Sequence, residues 1–285
     1  MKSYSNLSLM TAPFVYTRLP IFKINIAVLS LLGIQILILA ITADFYALLN
    51  ITAAVMGVLF VENLLRYLAS SKFGLSLEMI ISGLLIGFFM PTGIGFIFVF
   101  ILSAFSVFIV KTVFGGTGRN WLNPVAFAVC AAYISRPEAF PPLISDFSLL
   151  REKGSIFALM EANGLLKLKT DFAVTSALNS LLLHGVGVTL PEGYISLFLN
   201  STSSIPAFRY NIVTLMSSII LFSIRVADYI LPAFFLTTYA ILVWTFGMVP
   251  VSNIYFTGDI LSAVLTGGVL FAAFFVMTEP ASSPK

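Results

Sequence analysis

Eight long apolar runs separated by short polar breaks dominate the chain, at roughly 24–43, 46–65, 77–91, 94–112, 122–134, 211–224, 230–249 and 258–277. Crossing the hydrocarbon of a bilayer takes about 20 residues of helix. The pattern therefore predicts an all-α integral membrane protein with about eight transmembrane helices, several of them short. Residues 1–20 are polar, contain Pro13 and Pro20, and read as a cytoplasmic tail rather than a cleaved leader. Residues 21–134 form a first five-helix repeat, 135–210 a long extracytoplasmic segment, and 211–285 a second, incomplete repeat of three helices.

The repeat is visible in the residues. Ser82-Gly83 opens an apolar run that ends Phe88-Phe89-Met90-Pro91, and Thr266-Gly267-Gly268 opens another that ends Phe274-Phe275-Val276-Met277-Thr278-Glu279-Pro280. Each is the third span of its half. Proline just past an apolar helix stops it and leaves carbonyls unpaired. Helices broken at matching places in two halves are the sequence pointer to a midplane site in repeat-built membrane proteins. The alternating threading runs the two copies in opposite directions, so the prediction is two inverted repeats with broken third helices.

Composition agrees with a membrane protein: 59% of residues are hydrophobic and 9% charged, with a mean hydropathy of +1.04. A net charge of +3 is no nucleic-acid signal here, because the basic residues follow topology. With the N-terminus inside, Lys2, Arg18, Lys23, Arg66, Lys72, Lys111, Arg119, Arg225 and Lys285 are all cytoplasmic. The long segment carries Arg136, Arg151, Lys153, Lys167, Lys169 and Arg209 to the other side, and long loops are exempt from the positive-inside rule. Both termini are thus expected in the cytoplasm. The single cysteine, Cys130, can form neither an internal disulfide nor a cluster site of its own and reads as a buried small hydrophobe.

Candidate chemistry concentrates in Phe114-Gly115-Gly116-Thr117-Gly118-Arg119-Asn120-Trp121-Leu122-Asn123-Pro124. Three glycines in four residues free the backbone to approach a ligand, and Thr117, Asn120 and Asn123 add donors and acceptors. A tight turn between two spans is the plainer alternative. Polar irregular backbone at membrane depth requires burial in protein or a wet cavity. Thr278 and Glu279 at the second helix break add a carboxylate suited to a cation or a flavin-ring contact. Glu62 and Glu78 fall near predicted membrane boundaries and read as wetted interfacial groups. His184, the only histidine, lacks a neighbouring second ligand, and no metal site is expected.

The string FGGTGRNWLNP, preceded by Lys111, resembles the G-G-x-G-x-N-x-x-N-P signature of the NqrB/RnfD family, and the chain is most similar to its RnfD branch. Phe275 to Pro284 resembles that family's F-M-A-T-D-P-V-T-S-P, with Glu279 in place of the aspartate, and Asp228-Tyr229-Ile230-Leu231-Pro232 resembles its D-W-R-I-P turn. The resemblance implies two five-helix halves, so the chain is similar to a member shortened at its C-terminus. It also implies a prokaryotic plasma-membrane subunit of an Rnf/Nqr-like complex. Such a subunit would take part in flavin-mediated electron transfer between ferredoxin or NADH and an acceptor, driving Na⁺ or H⁺ across the membrane with other membrane subunits. A non-redox transporter or channel, or a structural scaffold subunit, is the alternative.

In that family an FMN is joined through its phosphate to a threonine in the extracytoplasmic segment. Aligning Thr175-Ser176-Ala177 with the family's T-S-A puts Leu178 at the acceptor position, and leucine has no hydroxyl to esterify. Thr175 or Ser176 is the weak substitute. The expectation is FMN or riboflavin held without a covalent bond, or no flavin on this chain. Residues Gly115, Gly116, Thr117, Gly118, Asn120, Asn123, Thr278 and Glu279 are the candidate contacts.

Overall fold

The computed structural model describes residues 20–70, 73–113, 122–140, 169–185, 198, 203–226, 228–246, 249–251, 254–256 and 260–279. Helix α1 (Ile21–Ile41) starts after Pro20 and buries Val28, Leu31, Leu32, Gln35 and Leu39, a stripe at helical spacing. Its other face leaves Ile26, Ile34, Leu37 and Ile41 exposed, as suits lipid. The chain reverses through Ala43, in the left-handed region at φ 56°, and Asp44 caps α2 (Phe45–Leu68) by accepting from the Ala47 N–H at 3.1 Å.

Helix α3 (Leu77–Phe89) sits in the core: residues 81–89 are all buried. At 13 residues it extends only about 20 Å. It lies close against α2, because a Cβ at Gly87 would stand 2.6 Å from the Ile51 Cα. Lipid tails are as apolar as leucine, so such close backbone approach, rather than water exclusion, holds helices together in a bilayer. The helix ends where the sequence predicts, at Met90-Pro91, and Asn50 Nδ2 donates to the Pro91 carbonyl at 3.0 Å. Helix α4 (Phe96–Val107) continues as a π-helical turn, Phe108–Val113, and α5 (Pro124–Ser135) begins with proline at its first position and Asn123 as its cap.

Beyond α5 come α6 (Lys169–Gly185), α7 (Asn211–Ser223) and α8 (Ile230–Phe246). Helix α6 lies inside the 135–210 segment, for which the apolar pattern gives no membrane span. Gln35 of α1 donates to Thr214 Oγ1 of α7 at 3.3 Å, joining the two helices. A short antiparallel hairpin, β1 (Val249–Val251) and β2 (Ile254–Phe256), pairs Val249 with Phe256. It falls at the short turn expected between the last two apolar runs. The run expected as one helix over 258–277 is in fact interrupted. Helix α9 (Ile260–Thr266) stops, Gly268 adopts φ 65°, and α10 (Val269–Phe271) leads into a second π-helical stretch, Ala272–Val276. That conformation strains any residue with a side chain, so the break sits at the glycine pair as well as ahead of Pro280.

The two broken segments meet at the core and run antiparallel. Late residues of α3 touch early residues of the last segment, with Phe88 and Phe89 ring centroids 5.3 and 5.5 Å from Phe271. Early α3, at Ser82, meets its end, at Glu279. Three described helices, Ile21–Ile41, Phe45–Leu68 and Phe96–Val113, are long and apolar enough to cross a membrane, and four shorter apolar helices accompany them. Cys130 is exposed on α5, not buried, so it faces outward from this chain.

Candidate functional site

Asn123 does two jobs with one amide. Its Oδ1 accepts from the Val125 N–H at 2.8 Å, capping α5, which fixes the orientation of its Nδ2. That Nδ2 donates to the Val276 carbonyl and to Glu279 Oε2, both at 3.2 Å. The end of the glycine-rich stretch is thereby tied to the second helix break. Val276 offers its carbonyl because it closes a π-helical turn, where the usual helical bonds are displaced.

Glu279 is 2% exposed. Its Oε1 accepts from Ser82 Oγ at 2.6 Å, short as expected for a hydroxyl meeting a carboxylate. The Ser82 hydroxyl lies also 3.2 Å from the Glu78 carbonyl one turn earlier. With a single proton to give, Ser82 gives it to the closer, charged oxygen. Glu78 in turn binds Lys111 Nζ at 2.6 Å, and the ammonium touches Met79 Sδ at 3.5 Å. Lys111 is 7% exposed and sits on the first π-helical turn. A buried ammonium beside a carboxylate is far less costly than either charge alone. Two polar links thus lie along α3, one from Lys111 to the Glu78 carboxylate and one from Ser82 through Glu279 to Asn123.

Of the sequence-predicted contacts, Asn123 and Glu279 are brought together. Thr278 lies beside them, with its hydroxyl given to the Phe274 carbonyl of its own turn. Gly115, Gly116, Thr117, Gly118 and Asn120 lie outside the described residues; of the flanks of that stretch, Lys111 before it pairs with Glu78 and Asn123 after it pairs with Glu279. Ser82 and the Lys111–Glu78 pair were not picked out as site residues. The signal that could have found two of them was spacing: Glu78 and Ser82 are four apart on an otherwise apolar helix, hence on one face.

Glu62 corrects its reading as a wetted interfacial group. It is buried, accepts from Ser76 Oγ at 2.7 and 2.8 Å and from Arg66 Nη2 at 2.6 Å, and so clamps the turn that leads into α3. On α6, Thr175 is 1% exposed while Leu178 is 38% exposed. The hydroxyl-bearing residue is inside and the residue at the expected acceptor position faces outward without a hydroxyl.

The chain is similar to a curated protein of Clostridium ljungdahlii, a subunit of that organism's proton-translocating ferredoxin:NAD(+) oxidoreductase complex, with 25% identity over 211 residues. The similarity takes in 72% of this chain and 57% of that relative, so the chain spans little more than half of the relative's length. The profile of the NQR2, RnfD, RnfE family matches residues 8–285, nearly the whole sequence. With its apolar helices and this match across almost its full length, the chain is a multi-pass membrane protein that belongs to the NqrB/RnfD family.

Proposed function

We propose that this chain is a membrane subunit of an Rnf/Nqr-like redox-driven Na⁺ or H⁺ pump, working in flavin-mediated electron transfer between ferredoxin or NADH and an acceptor. The observation that carries the reading is the buried Glu279 carboxylate. It is held by Ser82 from the first half and by Asn123 from the end of the glycine-rich stretch. Ionisable groups inside membrane segments are costly and mark ion or proton pathways. The name of the Clostridium relative supports the redox and ion-pumping part. Other membrane subunits are the expected partners, in a prokaryotic plasma membrane with both termini cytoplasmic, and the antiparallel broken segments are read as the third spans of two inverted repeats.

The described site residues fit a neutral flavin better than a phosphorylated one. A carboxylate accepts bonds from ribityl hydroxyls and repels a phosphate. Glu279 and Asn123, with Gly115, Gly116, Thr117, Gly118, Asn120 and Thr278, are proposed to hold riboflavin without a covalent bond. When bound, it supplies the electron-carrying chemistry. Asn123, fixed by its capping bond, orients the donor face of the site, and Glu279 accepts from the ligand or from a proton. A visible absorption spectrum of the purified complex tests this reading, with flavin expected in the parent and depleted in Asn123→Leu.

A scaffold or non-redox transport role is favoured by one observation, the exposed, hydroxyl-free Leu178 where the family's esterified threonine stands. A complex purified intact with no flavin on this chain and normal electron transfer would select it.

A further inference from the structure

At the end of α3 remote from Glu279, residues 203–210 form a buried, irregular segment in which Ile205, Ala207 and Tyr210 are buried and Pro206–Phe208 makes a single tight turn. Buried backbone outside helices must have its polar groups satisfied, and here it does. The Ser203 carbonyl accepts from Arg209 Nε at 2.7 Å, the Ser204 carbonyl from the Thr92 N–H at 2.9 Å, and the Ile205 carbonyl from the Phe208 N–H at 3.1 Å. The segment is bolted to the first half through an ion pair between Arg209 Nη1 and Asp44 Oδ2, the residue that caps α2. The Tyr210 and Thr42 hydroxyls add a 3.3 Å contact.

Phe208 is the head of this segment. It lies against the left-handed Gly268, where a Cβ would come 2.0 Å from the Phe208 Cε1, and meets Phe89 edge-on at 6.3 Å. It therefore covers both helix breaks at once. Beneath it the rings continue through Phe89 and Phe271 to Phe88 and Phe275, with Phe271 and Phe275 at 4.9 Å. A cation leaving the Glu279 cluster along the seam between α3 and α10 thus meets packed rings and then the 203–210 segment. Apolar constrictions of this kind stop ions because the hydration shell cannot follow.

We infer that residues 203–210 are a plug that shuts the far end of the ion path between the two halves, latched by Arg209 to Asp44, and that passage requires the latch to release. The inference rests on the pump reading of the chain. Nothing in a purely structural strap requires it to move.

The test uses the whole complex in proteoliposomes, in a Cys130→Ala background. Thr92→Cys with Ser204→Cys places two thiols on residues joined by a backbone hydrogen bond, and loss of free thiol on oxidation verifies the cross-link. Donor-driven cation uptake is expected to fall roughly tenfold or more on oxidation and to return on reduction, while a cross-linked complex that pumps at the parental rate overturns the plug. Independently, Arg209→Gln should raise the passive, donor-free cation leak roughly tenfold, the population shift that loss of a part-buried ion pair can produce. The charge-swapped pair Asp44→Arg with Arg209→Asp should restore tightness. Arg209→Gln with unchanged leak but lowered thermal stability assigns the pair a structural role and overturns the inference. Failure of the parental complex to move any cation with electron flow overturns the pump reading, and the plug with it.

Discussion

Ser82 and Glu279 stand 197 positions apart in sequence and are joined by a 2.6 Å hydrogen bond across the line where the two broken segments run antiparallel. The bond fixes the height of one segment against the other, because the ring contacts at the opposite end, Phe88 and Phe89 on Phe271, resist sliding but carry no directional bond.

Ser82→Ala removes a hydroxyl donor from a buried carboxylate. A hydrogen bond to a charged group is worth about 1.5–3 kcal/mol, and the melting temperature of the purified complex should fall accordingly. Ser82→Thr, which retains the hydroxyl, should stay near the parent. Equal melting for Ala and parent would show that the bond carries no weight.

The Lys111–Glu78 pair joins a buried ammonium to a part-buried carboxylate and should be coupled. Lys111→Met alone leaves Glu78 without its cation and should destabilise, by less than the loss of a fully buried pair, whereas Lys111→Met with Glu78→Gln should be markedly less damaging. Chemical denaturation of the four members of this double-mutant cycle measures the coupling. Additive effects would show that the two side chains act independently.

No covalent flavin is expected. After SDS denaturation, in-gel fluorescence should show no band at the mass of this chain, since Leu178 lacks a hydroxyl and Thr175 is buried. A fluorescent band abolished by Thr175→Ala would show that the attachment site has shifted by three residues.

Topology is open to direct labelling in a Cys130→Ala background. A cysteine at position 119 should react with an impermeant maleimide from the cytoplasmic side, and cysteines in 140–205 from the opposite side. Labelling at 119 from outside alone would overturn the threading.

The membrane class and most helices were legible because hydrocarbon thickness imposes a length on apolar runs. The end of helix α3, Leu77–Phe89, was readable for another reason: Pro91 cannot continue a helix. The internal break at Gly268 was harder to see. A glycine pair within an apolar run fits helix packing as well as a left-handed turn, and only the seating of Phe208 on Gly268 selects the turn. Asn123 and Glu279 were identifiable from motif and residue type. Ser82 and Lys111 were not, because a serine and a lysine on apolar helices become informative only once the fold sets carboxylates opposite them. Glu62 was misread for the same reason, its partner Ser76 lying 14 positions away across a turn.

The most direct test of the account concerns the Glu279 carboxylate itself. Glu279→Gln keeps the shape and removes the charge; its amide oxygen can still accept from Asn123 while its NH2 faces Ser82, whose hydroxyl can accept it and donate to the Glu78 carbonyl, so the complex should assemble. Donor-driven Na⁺ or H⁺ uptake in proteoliposomes, recorded together with electron transfer, is then the decisive measurement. The account predicts that cation uptake falls roughly tenfold or more, the rate effect of about 1.4 kcal/mol, while Glu279→Asp retains part of it. Parental uptake and parental electron transfer in an assembled Glu279→Gln complex would contradict it.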